Sequence, residues 1–179
     1  MNNQHLNEKK SRLSVDYFEK MHIIKNRKED EVAIMLIQFN FKNFRSFREE
    51  ATLDLSATKM TEFSERVVTI GSEKILPVAA IYGANASGKS NIYSAFEYMA
   101  EYVVDSFKYG DEEEKFEEYR PTPFLFDSTS ADAESSFEVY FTIPGDKNEK
   151  TYNYGFCVDQ EGVTEEWLNS KAKTARKYS

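Results

Sequence analysis

The chain has 179 residues, of which 40% are apolar and 15% are aromatic, which is enough for one globular domain with a substantial core. Its formal net charge of -8 argues against nonspecific nucleic-acid binding by the whole surface, although a local basic groove is compatible with that average. The single cysteine, Cys157, excludes an internal disulfide and a cysteine-rich metal site. No apolar segment has the length of a signal peptide or a membrane span, so we predict a cytoplasmic protein without membrane contact.

The first part of the chain differs in composition from the rest. Residues 1–34 are polar and charged, with one short helix predicted around Leu13, Phe18 and Met21, and we interpret them as an N-terminal extension. The sequence from Met35 resembles a fresh protein start, so our hypothesis is that the extension comes from a misassigned start site. An intact mass of the natively expressed protein that retains residue 1 would contradict it.

The pattern of apolar residues from Met35 onward alternates between strands and one helix. We predict a half-buried strand from Met35, two further strands at 51–56 and 67–70, and another over the apolar run 75–82. A helix is predicted next, because apolar residues then recur at helical spacing and form a core-facing stripe. These residues are Ile92, Phe96, Met99, Val103 and Phe107. Alternation on both sides of the turn at 144–149 predicts a hairpin, and 163–168 a third antiparallel strand.

The octapeptide Gly83–Ser90 reads G-A-N-A-S-G-K-S and fits the phosphate-binding pattern G-x-x-x-x-G-K-[ST]. Glycines let backbone N–H groups converge on phosphates, and the helix that follows adds the partial positive charge of its N-terminus. Lys89 is expected to reach the β- and γ-phosphates, and the Ser90 hydroxyl to bind Mg²⁺. The alternative is an ordinary strand-to-helix turn with an exposed lysine. The predicted nucleotide contacts are Gly83, Ala84, Asn85, Ala86, Ser87, Gly88, Lys89, Ser90 and Asn91.

A second motif, Asn43-Phe-Arg-Ser-Phe47, begins forty residues before Gly83. With the phosphate loop and the three-strand antiparallel block, it resembles the N-terminal part of ABC-like AAA ATPases. The likeness is to the SMC and RecF heads and, most closely, to bacterial ATPases of overcoming-lysogenization-defect and abortive-infection systems. It covers roughly residues 35–168, and the two motifs are its specific parts.

This resemblance implies an α/β fold over residues 35–179: the N-terminal lobe of a P-loop NTPase, ending before the signature and Walker B motifs. The implied lobe has a mixed sheet, one long helix after the Walker A loop and an antiparallel β subdomain. It also implies ATP and Mg²⁺ as ligands and a place for Arg45 near the phosphates, where the alternative for Arg45 is a solvated charge at a strand end. The complete protein would be a homodimer with a nuclease or toxin partner, and DNA would contact only that complete assembly.

The sequence also departs from this family pattern. It has no L-S-x-G signature, and its nearest Walker B mimic, Phe156–Asp159, is followed by Gln160 rather than Glu and lies in the predicted hairpin. Gln160 is the sole glutamine after Lys89, and a turn residue is a simpler interpretation of it than a Q-loop. We therefore predict no catalytic residue beyond Lys89, and expect nucleotide binding without efficient turnover.

Three functions fit these observations. The leading one is ATP binding in part of an ABC-like ATPase that acts in bacterial phage defence, a role that depends on the resemblance alone. The second is a noncatalytic module whose association depends on nucleotide. The third is a P-loop GTPase or kinase, since Asp159–Gly162 fits D-x-x-G, although no N-K-x-D motif accompanies it. The acidic run 111–118 is interpreted as solvated rather than metal-binding.

Overall fold

The computed structural model describes residues 34–57, 62, 64–109, 120–143, 145–146 and 150–172, with the backbone alone for 105–109. The predictions for the N-terminal extension up to residue 33 and for the acidic run 111–118 lie outside these residues. The predicted domain boundary between 34 and 35 therefore stays a prediction. Ile34, at the start of the described part, is buried in the hydrophobic core.

Five strands form one antiparallel sheet in the order β2-β1-β5-β6-β7. Their bounds are β1 Met35–Lys42, β2 Ala51–Asp54, β5 Ser135–Thr142, β6 Thr151–Val158 and β7 Val163–Lys171. Two short strands, β3 Val68–Ile70 and β4 Glu73–Ile75, pair in a separate antiparallel ribbon, preceded by a 3-10 turn at Ser64–Arg66. The predicted hairpin and third strand are thus confirmed as β5, β6 and β7.

One face of the five-stranded sheet is aromatic and carries the core. Side chains alternate between faces along a strand, so the register places Phe41, Phe137 and Phe156 in one row across β1, β5 and β6. All three are almost completely buried. Burying a side chain of this size contributes about 1.5–3 kcal/mol, so this row is a main source of stability.

A single long helix, α1 at Lys89–Tyr109, covers that aromatic face. Met99 and Val103 of the predicted stripe are fully buried, and Ile92 and Phe96 pack against the same cluster. The fifth residue of the stripe, Phe107, lies where the backbone alone is described. The helical spacing therefore correctly predicted which side of α1 meets the sheet. A second, short helix, α2 at Ser128–Ala131, precedes β5.

The opposite face of the sheet is polar. Here the Glu138 carboxylate on β5 accepts hydrogen bonds from Asn40 Nδ2 at 2.9 Å, Asn153 Nδ2 at 2.8 Å and Trp167 Nε1 at 3.3 Å. The Trp167 indole lies against Gly155, where a Cβ would come within 2.3 Å of a ring atom. Such a division into an apolar and a solvated face is common in antiparallel sheets.

The predicted strand over 75–82 is wrong for the described residues, because Ile75 ends β4 and 76–82 is irregular. Leu76 N–H donates to the Leu55 carbonyl at 2.8 Å, but residues 77–82 make no backbone hydrogen bond to any described residue. Val78 is 77% exposed and Tyr82 is 89% exposed. An apolar run becomes a strand when neighbours complete its ladder, and the described residues supply none. The predicted mixed sheet is also wrong for the described residues, since every strand pair in both of their sheets is antiparallel.

Candidate functional site

The predicted phosphate loop lies directly before the N-terminus of α1. Its lysine curls back over the loop: Lys89 Nζ donates to the carbonyl oxygens of Gly83 at 2.9 Å and Ala84 at 2.6 Å. Ser87 Oγ lies 3.5 Å from the same ammonium group. The cation is therefore held at the inner side of the loop, where a lysine that contacts phosphate oxygens has to be.

Backbone conformation explains the glycines of the loop. Gly88 has φ +88°, and a Cβ there would come within 3.0 Å of Ser46 Oγ and 3.2 Å of the Phe47 ring. A Cβ on Gly83 would come within 2.7 Å of Ser87 Oγ. Ala86 also has a left-handed conformation, with φ +61°, which is costly for a residue with a side chain. The loop is thus tightly turned and in close contact with residues 46–47.

The start of α1 offers donors for an anion. Within the described part of the chain, the N–H groups of Gly88, Lys89 and Ser90 donate no backbone hydrogen bond, whereas the Gly88 carbonyl accepts from Asn91 and Ile92. The dipole of the 21-residue helix adds partial positive charge at this end. Free N–H groups, a helix N-terminus and the Lys89 ammonium are the donors that a triphosphate requires, and the exposed Ser90 hydroxyl is an oxygen ligand of the kind Mg²⁺ prefers. The residues present therefore fit Mg²⁺-ATP.

The second motif packs onto this loop although it is forty residues away in sequence. Residues 43–47 form a tight turn, closed by reciprocal backbone hydrogen bonds of 2.9 Å between Phe44 and Phe47. Ser46 Oγ accepts a 2.8 Å hydrogen bond from Asn91 Nδ2. The amide of Asn91, a predicted nucleotide contact, is thus engaged with the turn. Its role at the nucleotide stays a prediction.

Arg45 points along α1. Its Nη1 donates to Ser94 Oγ at 2.7 Å, and its guanidinium carbon lies 5.3 Å from the centroid of the Phe44 ring. The group lines a cavity of about 210 Å³ together with Glu97 and Arg120, among others. Ser94 is one helical turn beyond Ser90, so Arg45 binds α1 one turn from the predicted magnesium ligand. Its predicted phosphate contact is not tested by this geometry and stays a prediction.

Asn43 was missed in the sequence, where it was considered only as the first letter of the motif. It is 3% exposed and has φ +52°, a conformation that asparagine tolerates better than most residues. Both ends of its side-chain amide bond to main-chain groups of residues 124–134. The available signal was an asparagine at the end of a strand, which favours a turn.

The motif-like residues after β6 form a turn. Asp159 Oδ1 accepts from the N–H groups of Glu161 at 2.7 Å and Gly162 at 3.0 Å. Gln160 Nε2 donates to the Pro121 carbonyl at 3.3 Å. The interpretation of Phe156–Asp159 as a chance match to Walker B, and of Gln160 as a turn residue, agrees with this geometry. The D-x-x-G match of Asp159–Gly162 is likewise the turn between β6 and β7.

Outside the phosphate loop, the described residues contain no second candidate site for catalysis or metal binding. Burial is the main reason that the pKa of Cys157 is raised to about 11, which makes its thiol a poor nucleophile at neutral pH. No three His, Cys, Asp or Glu side chains of the described residues lie close enough together to hold a metal ion. In the same residues, no helix has the length and apolarity needed to cross a bilayer.

Comparison with known families identifies the family of this chain. A family model described as "AAA domain, putative AbiEii toxin, Type IV TA system" matches residues 78–179. The chain belongs to this AAA-domain family. The match contains the whole loop and α1, and it confirms the predicted resemblance to abortive-infection ATPases of the ABC-like AAA type over part of the chain. The membership supports a nucleotide-binding, ATPase-type function. A search of the curated proteins gave no match.

Proposed function

We propose that this chain binds Mg²⁺-ATP through the Walker A loop at residues 83–90. The observation that carries the proposal is the position of the Lys89 ammonium group, held by the Gly83 and Ala84 carbonyls at the N-terminus of α1. Membership in an AAA-domain family supports the same function. The residues of this loop hold the phosphates through backbone N–H groups, and Ser90 holds the magnesium ion.

Bound Mg²⁺ would neutralise phosphate charge. Lys89, whose ammonium group donates to the Gly83 and Ala84 carbonyls, would hold phosphate oxygens, which are stronger acceptors because they are charged. Gly88 permits close approach of the backbone, and Ser46 with Asn91 supports the loop from behind. This sequence has no Asp-Glu pair after an apolar strand and no signature motif, so we propose that turnover requires groups from the complete dimeric protein.

We further propose that the complete protein acts in bacterial phage defence with a nuclease or toxin partner. Support comes from the family description, which names a putative AbiEii toxin and a type IV toxin–antitoxin system. That wording concerns the family as a whole.

The test is calorimetric titration of Mg²⁺-ATP into the wild-type chain and into Lys89→Ala, with phosphate release followed in the same samples. We expect the variant to lose at least about tenfold in affinity, because charge-assisted hydrogen bonds to phosphate are lost. Lys74→Ala is the matched control, since it removes an equal charge from an exposed position on β4. Equal affinity in wild type and Lys89→Ala would refute the site. GTP that competes as well as ATP would favour the GTPase or kinase alternative.

A second candidate is a noncatalytic module whose association depends on nucleotide. The exposed apolar residues Val78, Ile81 and Tyr82 immediately before the loop favour it, because such exposed groups often mark interaction sites. Mass photometry or light scattering with and without Mg²⁺-ATP distinguishes the candidates. Neither candidate releases phosphate in this chain alone, but the module changes its oligomeric mass when Mg²⁺-ATP is added, whereas the first candidate binds Mg²⁺-ATP at constant mass.

A further inference from the structure

We propose that Asn43 is a positioning residue for the phosphate loop, acting through the turn at residues 43–47. The proposal deepens the function proposed above and rests on it. Asn43 is buried, and the hydrogen bonds of its side-chain amide go to residues 124–134 rather than to the loop. Its side chain instead fixes the turn that contacts the loop, by binding it to the connector, which we define as residues 120–134.

The first half of the argument is the attachment to the connector. The Asn43 amide makes four side-chain hydrogen bonds to main-chain groups of this segment. Nδ2 donates to the carbonyls of Ser130 at 2.8 Å, Ala133 at 2.9 Å and Glu134 at 3.2 Å, and Oδ1 accepts from Phe124 N–H at 3.0 Å. The Asn43 carbonyl also accepts from Ser135 Oγ at 2.6 Å. One buried side chain thus holds both ends of a segment that has little regular structure.

The second half is the contact between the turn and the loop. Ser46 Oγ accepts from Asn91 Nδ2, and it lies so close to Gly88 that a Cβ there would come within 3.0 Å of it. Arg45 N–H donates to the Thr122 carbonyl at 2.8 Å while its guanidinium group binds Ser94. Any movement of the turn at Asn43 therefore moves Ser46 and Arg45 relative to α1. This sequence of contacts joins the connector to the end of the phosphate loop.

The chemistry requires an amide at this position. A buried amide donates two hydrogens and accepts at its oxygen, so Nδ2 serves the three carbonyls by sharing one hydrogen between two of them while Oδ1 accepts from the Phe124 N–H. A carboxylate keeps the acceptor but places negative charge among three carbonyl oxygens. Glycine accepts the left-handed conformation of residue 43 but provides none of the four bonds. These two variants separate the hydrogen bonds from the backbone conformation.

The experiment compares Mg²⁺-ATP affinity in the full chain and in Asn43→Asp, Asn43→Gly and Asn153→Asp. The last variant is the matched control, because it makes the same atomic change on the polar face of the sheet, where Asn153 Nδ2 binds Glu138. Thermal stability is measured for each variant. We expect both position-43 variants to bind about tenfold or more weakly, with Asn153→Asp binding as wild type at equal or greater loss of stability.

A pH series adds a readout that a purely structural residue would not move. In Asn43→Asp, the surrounding carbonyl oxygens disfavour the charged form of the introduced carboxyl group and raise its pKa above the ordinary value of about 3.9. The protonated form can again donate a hydrogen bond, so the affinity of Asn43→Asp should recover as the pH falls towards the raised pKa of this carboxyl group. The wild-type chain over the same range corrects for any other pH dependence of binding; the charged groups around this position are Arg45, Arg48, Asp127 and Glu134.

Each outcome decides the proposal. Wild-type affinity in both position-43 variants overturns it, as does a loss in Asn153→Asp that matches theirs at equal stability. A deficit of Asn43→Asp that stays constant with pH overturns the hydrogen-bond explanation. If the wild-type chain binds no nucleotide, the proposed function fails separately, and amide hydrogen exchange over residues 83–94 decides the positioning. Faster exchange there in Asn43→Gly than in Asn153→Asp supports it, and equal exchange contradicts it.

Discussion

The sheet packed against α1 and the segment that leads into α1 differ in how far their backbone groups are hydrogen-bonded. On the sheet side, β5 lies between β1 and β6 with both of its edges paired, and its apolar side chains are buried beneath the helix. On the loop side, residues 77–82 have no backbone partner among the described residues, and Val78 and Tyr82 are exposed. Stability is thus concentrated in the sheet, and the residues of the proposed phosphate loop follow a segment of low local stability.

The strongest test of this contrast substitutes one aromatic residue on each side. Phe137 is fully buried, with ring centroids 5.0 Å from Tyr98 and 5.4 Å from Phe156. We expect Phe137→Ala to lower the free energy of unfolding by about 3–5 kcal/mol, and Tyr82→Ala to change it by less than about 0.5 kcal/mol. Urea denaturation of both variants measures the difference. Comparable losses would show that the loop side is part of the cooperative core.

The next largest effect is expected on the polar face of the sheet. Gly155→Ala places a Cβ within 2.3 Å of the Trp167 ring and 2.8 Å of the Phe137 carbonyl oxygen. We expect a loss of about 1–3 kcal/mol, because overpacking of this kind forces shifts of side chains and backbone. Combining it with Trp167→Ala should recover part of the loss, since the ring contact disappears and the carbonyl contact stays. Strict additivity in the double-mutant cycle would show that the indole does not press on this strand.

A smaller effect of opposite sign is expected in the phosphate loop. Ala86 has φ +61°, so Ala86→Gly relieves a conformation that costs a side chain about 1–2 kcal/mol, less the greater freedom of glycine in the unfolded chain. The net gain should be about 0.5–1 kcal/mol. Ala84→Gly is the matched control and should lose about 0.4–1 kcal/mol, because Ala84 has no positive φ. Thermal unfolding of the two variants measures these changes in stability. A change in the same direction in both variants would contradict the strain assigned to Ala86.

The smallest effect concerns acid stability of the connector. Hydrogen bonds from Ser130 and Thr129, assisted by Arg48, lower the pKa of Asp127 to about 2. A depressed folded-state pKa means that this stabilisation is complete above the ordinary value of about 3.9 and is lost as pH falls towards 2. Asp127→Asn should therefore remove a component of the pH dependence between about pH 4 and pH 2. Identical acid-unfolding profiles for wild type and variant would contradict this.

How far the sequence predicts this molecule depends on whether a signal is local. Helical spacing identified α1, and alternation identified β5, β6 and β7, because a periodic pattern records burial along one element. The phosphate-loop motif is also a local signal, since Gly83, Gly88 and Lys89 lie within eight residues, and its binding of phosphate stays a prediction.

The parts that the sequence did not predict depend on distant contacts. The run 76–82 has the composition of a strand, but a ladder requires a neighbouring strand that no local pattern specifies. The role of Asn43 could not be predicted either, because the four main-chain partners of its side chain begin about eighty residues later in the chain. The N-F-R-S-F motif was found by resemblance, and its contact with Gly88 became visible only in three dimensions.

Trp167 is the single tryptophan of the chain, and its position fixes what optical spectroscopy can report. Its indole N–H donates to Glu138 across the polar face, on the side of the sheet opposite to α1 and the phosphate loop. Intrinsic fluorescence excited at the indole is therefore a gauge of the docking of β7 and of unfolding of the sheet. A nucleotide titration followed by that emission alone would record little of the binding event, and a fluorescent nucleotide is the appropriate probe for the loop.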